Sequence, residues 1–192
     1  MKHQDPSEFV AYFSRIRQRT DAVVRRIPPE RIEWSLQAGR FTLGDIVRHL
    51  ASIERFMYAE NACGRPSRYP GHGRELADGY DAVLDYFARL HSEAMEIFSG
   101  LTVADFNGAC RTPAGLEIRV WKWLRAMIEH EIHHRAQIYV YLGILGVTTP
   151  PLFGLTSEQV RAVSVDERAP NPAPGDSRNL QHVSRGRTGN LE

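Results

Sequence analysis

Apolar side chains recur along most of this chain at spacings of three and four, the signature of helices with one buried face. Phe9, Phe13, Ile16, Thr20, Val23 and Ile27 make the first stripe. Asp5-Pro6-Ser7-Glu8 opens it, with Asp5 as N-cap, Pro6 at the first helical position and Glu8 at the third, and Pro28-Pro29 ends it. From Arg31 to Arg40 a connecting segment follows, in which Ile32, Trp34 and Leu36 alternate and Trp34 is read as a plug for the core. Thr42 and Asp45 cap a second helix. Its inner face carries Ile46, Leu50, Ile53 and Met57, while Arg48, Ala51, Ser52 and Arg55 are expected on the outside.

The glycine- and proline-rich run 61–73 is a poor helix former and reads as a crossover. Leu76, Tyr80, Val83, Phe87, Leu90, Ala94 and Ile97 then mark a third helix ending at Gly100. GACRT and LEIRV, around Pro113-Ala114-Gly115, predict a small hairpin. A fourth helical run extends from Val120 to Leu145, and Thr156 caps a short helix to about Val163. From Asp166 apolar residues nearly vanish, so a domain over 1–165 with a disordered tail over 166–192 is expected. The fold class is all-α, a four-helix bundle with a small hairpin before its last long helix.

The fourth helix departs from the usual division into apolar and polar faces at His130-Glu131-Ile132-His133-His134. At about 100° per residue, His130, His134 and Glu131 fall within the stripe formed by Leu124, Met127, Ile138 and Leu142. His133 turns to the solvent side with Lys122, Arg125 and Glu129. Polar groups turned into a core need partners, and two histidines at i and i+4 are a standard bidentate arrangement for a divalent metal. The run also fits H-E-x-x-H of zinc peptidases, in which the glutamate is the general base. No third ligand follows: the next residues read RAQIYVYLGILG, His182 lies in the expected tail, and Glu158 opens the short helix. His49, at the border of the second stripe, is the best third ligand in the chain. His72 is expected to be solvated and His91 to lie at a boundary.

Composition narrows the partners. Of 192 residues, 24 are basic and 23 acidic, for a net charge of +1, which offers no footprint for nucleic acid. No run of 18 apolar residues exists, so no membrane span is expected. MKHQDPSEFV lacks an apolar signal core, and a cytoplasmic location is the expectation. Cys63 and Cys110 stand apart with no C-x-x-C spacing, and both are read as free and structural.

With T-L-G-D-I-V-R-H-L on the second helix, H-E-I-H-H-R-A-Q-I on the fourth and the trailing P-P-L-F-G-L-T-S-E-Q-V, which together span most of residues 5–163, the chain resembles the DinB-like metalloproteins. The resemblance implies an up-down-down-up bundle, a homodimer and one divalent metal held by three histidines, which by position are His49, His130 and His134. It also implies chemistry on low-molecular-weight thiols in some members. Three imidazoles leave an open position for water, a thiol or another small-molecule substrate, and they suit zinc, nickel, iron or manganese. A metal-dependent transferase or hydrolase is therefore the leading expectation. A structural-metal stress-response module and a zinc peptidase are the alternatives. Glu131 is either a proton acceptor at the metal or, preferably, an interhelix partner. No catalytic residue is assigned.

Overall fold

The computed structural model describes residues 5–164, so the tail expected from Asp166 lies outside the described residues. The protein is mostly helical with one two-stranded sheet. Helix α1 (Pro6–Val24) begins where its capping signals place it, with the Asp5 carboxylate accepting from the Ser7 amide. It ends three residues before Ile27, which is buried in the following turn, because residues ahead of Pro28-Pro29 are biased away from helical backbone.

Helix α2 (Leu43–Ile53) starts with a complete capping box between Thr42 and Asp45. It runs without a break through a π-helical stretch, Glu54–Ala59, into α3 (Glu60–Ala62), so the helix reaches past the expected start of the crossover. Gly44 lets the first turn of α2 approach the segment before it. A Cβ there would stand 3.0 Å from the Ile32 carbonyl oxygen and 3.1 Å from Arg48 Nη1. Helix α4 (Tyr80–Ser99) begins later than its stripe suggests, after Gly79 at φ 85°. Leu76 and Ala77 pack on the core from the crossover instead. A short helix α5 (Val103–Asn107) leads into β1 (Ala109–Arg111) and β2 (Glu117–Arg119). These pair antiparallel with Cys110 opposite Ile118, the hairpin expected around Gly115, whose φ of 80° suits glycine. Helix α6 (Val120–Ile144) follows directly.

Helix α1 packs on α4 and α6, and α2 packs on the same two. The core divides into two clusters. One joins Phe9, Phe13 and Ile16 of α1 with Ala94 and Phe98 of α4 and Val120, Leu124 and Met127 of α6. The other joins Val23, Ile46, Leu50, Val83, Phe87, Ile138 and Leu142. Contacts on both sides of α2 overturn its expected outer face: Arg48, Ala51 and Ser52 are all 0 % exposed. A one-sided helical wheel fails where two helices and a crossover enclose the same element.

The described chain forms two units, one through Leu152 and one from Phe153. The second contains α7 (Ser157–Val163), with the capping box read from Thr156 and Gln159 and with Val160 and Val163 exposed. Among the described residues no helix is long and apolar enough to cross a membrane.

Candidate metal centre

His130 and His134 stand one turn apart on α6, and i,i+4 spacing aims both rings at the same neighbour, α2. From α2 His49 projects back. His130 Nε2 lies 3.1 Å from His49 Nε2 and 3.1 Å from His134 Nε2, and all three ligand nitrogens fall within 4.8 Å of one another. An ion bound to imidazole at roughly 2.0–2.2 Å places neighbouring nitrogens about 2.8–3.6 Å apart in octahedral or tetrahedral geometry. The two pairs at 3.1 Å meet that spacing, and three imidazoles are donors that suit a divalent metal.

Electrostatics favours the form a metal needs. Partial burial, reinforced by the neighbouring imidazoles, pushes His49 down to about 3 and His130 down to about 4, and burial likewise lowers His134. All three are therefore neutral at pH 7. The nitrogens facing away from the cluster are held on two of the rings: His49 Nδ1 is 2.7 Å from the Tyr69 hydroxyl, and His134 Nδ1 is 2.7 Å from Gln137 Oε1. With Nδ1–H donating in each case, the Nε2 lone pair faces the cluster.

His133 is exposed, as the wheel requires, and contacts Gln137. His72 departs from its expected solvated state. Its ring packs on Phe41 with centroids 4.1 Å apart, and its Nδ1 lies 2.8 Å from the Tyr69 hydroxyl. Beside His49, Arg48 anchors the crossover. It donates to the His72 and Ala77 carbonyls at 2.7 and 2.9 Å and pairs with Glu33 and Asp45 at 2.8 Å each. Tyr58, from the π-helical stretch, packs on Trp123 with tilted rings and centroids 4.5 Å apart, beside His130.

Glu131 is the interhelix partner. It is 2 % exposed, accepts from Thr20 Oγ1 at 2.6 Å and pairs with Arg17 Nη2 at 3.0 Å. Burial pushes its carboxyl up, and Arg17 opposes that shift. Arg17 also pairs with Glu54, whose other oxygen meets His91 Nδ1 at 2.7 Å, so His91 belongs to this ion network. Sequence reasoning missed Arg17, Glu54, Tyr69 and Gln137. Only Gln137, one turn after His134, carried a local signal, because i,i+3 neighbours share a helix face.

These features define a class: a helical protein that gathers three neutral imidazoles from two facing helices into a cluster able to hold a metal. The profile of the DinB superfamily matches residues 12–138, a span that includes all three histidines, and the chain belongs to that superfamily. Its fold is similar to the crystal structure of a DinB-like protein from Bacillus cereus ATCC 10987, with a TM-score of 0.63 at 17 % identity over 74 % of this chain and 94 % of that one. A DinB-like protein from Bacillus subtilis is similar to the same degree, with a TM-score of 0.63 and 17 % identity over 75 % of this chain and 96 % of that one. No curated protein matches the chain.

Proposed function

We propose that His49, His130 and His134 bind one divalent metal ion and that the protein is a metal-dependent enzyme of the transferase or hydrolase type, acting with a small thiol or water. The observation that carries this reading is the convergence of three Nε2 atoms, two pairs of them 3.1 Å apart, with no carboxylate among them. An ion held there supplies Lewis acidity and lowers the pKa of a water or thiol that reaches it. The chain's own contribution is to keep the rings neutral and fixed. Three protein ligands leave coordination incomplete, whereas a structural zinc is closed by four. A peptidase mechanism gains no support, because the Glu131 carboxylate that would serve as its base is engaged by Thr20 and Arg17.

The up-down-down-up bundle belongs to the same proposal. It is supported by the order in which each long helix meets the two core clusters: α1 and α6 enter one cluster first, α2 and α4 the other. A homodimer is also proposed, on different grounds from those the sequence offered. Trp121 of α6 is half-buried against the core and offers no such surface. Ile132, Tyr139, Val140 and Ile144 instead leave an exposed apolar stripe on α6. Light scattering should give twice the chain mass, and a monomer mass across a tenfold dilution removes the dimer.

Metal assay of the purified protein should find close to one equivalent, lost in His130→Ala. Equal metal in the two proteins sinks the proposal. Titrating small thiols into cobalt-substituted protein should then raise a sulfur-to-cobalt charge-transfer band that His134→Ala lacks. An unchanged spectrum without turnover of electrophiles returns the metal to a structural role.

A further inference from the structure

Two of the three clustered histidines are backed in the same way. His49 Nδ1 meets the Tyr69 hydroxyl, which meets His72 Nδ1 at 2.8 Å. His134 Nδ1 meets Gln137 Oε1, and the amide nitrogen of Gln137 lies 3.2 Å from His133 Nε2. Each series runs from a clustered imidazole, through a group that both accepts and donates, to an imidazole outside the cluster. The hydrogen-bond direction is fixed at Gln137, because an amide oxygen only accepts, whereas the Tyr69 hydroxyl can take either role toward each of its two imidazoles. If Gln137 Nε2 donates to His133, its Oε1 is left to accept, so His134 Nδ1 must carry the proton. If the Tyr69 hydroxyl donates to His72 Nδ1, it accepts from His49 Nδ1–H by the same logic. Gln137 therefore selects the His134 tautomer whose Nε2 lone pair faces the cluster, and Tyr69 selects the same tautomer of His49 when its hydroxyl donates to His72.

We propose that Tyr69 and Gln137 are positioning residues of the metal centre, each locking one ligand imidazole in its metal-binding tautomer and orientation, and that the crossover loop is thereby part of the site. The inference rests on the metal reading above. It explains why a glycine- and proline-rich segment is clamped so firmly: Arg48, 0 % exposed, donates to the His72 and Ala77 carbonyls, and Phe41 packs on the His72 ring. Arg48 neighbours His49 in sequence, so a single turn of α2 supplies both a ligand and the anchor for the loop that orients it. Gln137 performs the corresponding task from within α6 with no loop at all.

The test is cobalt affinity by chelator competition, together with the visible spectrum of the cobalt protein, for Tyr69→Phe, Gln137→Met and Gln137→Glu beside the wild type and His130→Ala. Removing an outer partner of a ligating histidine weakens metal binding about 10–100-fold, and that loss is expected for Tyr69→Phe and Gln137→Met, with shifted ligand-field bands. Gln137→Glu keeps an acceptor at the same place and should bind within a few-fold of the wild type or more tightly. Purely structural roles would instead lower the thermal midpoint of the metal-free variants and leave the cobalt spectrum alone. Wild-type affinity and spectrum in both Tyr69→Phe and Gln137→Met, with binding still lost in His130→Ala, overturns this inference and spares the metal reading. Undiminished binding in His130→Ala overturns both.

Discussion

Two polar centres lie within the helical interior, and His130 and Glu131 deliver adjacent residues of α6 to each. On one side Arg17 faces Glu54 and Glu131, with Thr20 and His91 completing their hydrogen bonds. Opposite charges meet there, and every oxygen of the two carboxylates has a partner. On the other side three imidazoles converge, two pairs of their nitrogens 3.1 Å apart, with no acid among them. Lone pairs facing one another repel unless a proton or a cation lies between them, and burial has made protons costly. The carboxylates of the closed network are satisfied without a ligand, while Arg17 Nε and Nη1 are buried without a hydrogen-bond partner. The open cluster is the candidate site because its polar atoms share a sign and have no counterpart among the described residues.

If that contrast is sound, the two centres should fail independently. Arg17→Ala leaves two carboxylates buried and should cost about 3–5 kcal/mol in urea denaturation, while the fraction that remains folded still takes up metal. His130→Ala should do the reverse, abolishing metal uptake while changing the stability of the metal-free protein far less. Metal loss in Arg17→Ala under conditions where it is fully folded would merge the two centres into one.

Acid sharpens the comparison next. His49 and His130 have folded pKa values of about 3 and about 4, below the ordinary 6.5. As pH falls below 6.5 the unfolded chain therefore takes up protons first. Stability from these neutral rings is fully present above that pH and drains away toward pH 4. By pH 5 the loss in metal-free protein should be on the order of 1 kcal/mol per ring, allowing for partial exposure. Denaturation series at pH 7 and pH 5 should show a smaller difference in His130→Asn than in the wild type, and identical differences would refute the assignment.

The smallest effect tests the edge of the closed network. Thr20→Val removes the hydroxyl 2.6 Å from Glu131 Oε1 and should cost about 1–2 kcal/mol. Chelator competition should find its metal affinity equal to that of the wild type. A tenfold change would mean that Glu131 acts on the histidines after all.

Local periodicity determined much of this protein before any packing was known. The stripes of α1, α2, α4 and α6, the caps at Asp5, Thr42 and Thr156, the hairpin around Gly115 and the inward turn of His130, Glu131 and His134 all depend on residues within a few positions of one another. Such features obey helix and turn geometry, which a sequence displays directly. Partnership was decided elsewhere. Thr20 finds Glu131 across 111 residues, Arg17 finds Glu54 across 37, and His49 finds His130 across 81. Arg48 and Tyr69 show the limit most clearly: one lay on a face that looked exposed, the other in a loop without periodicity. Burial on more than one side, and a crossover folded back over α2, gave them their roles. A one-dimensional pattern records which way a side chain points along its own element, and only the packed chain determines what it meets there.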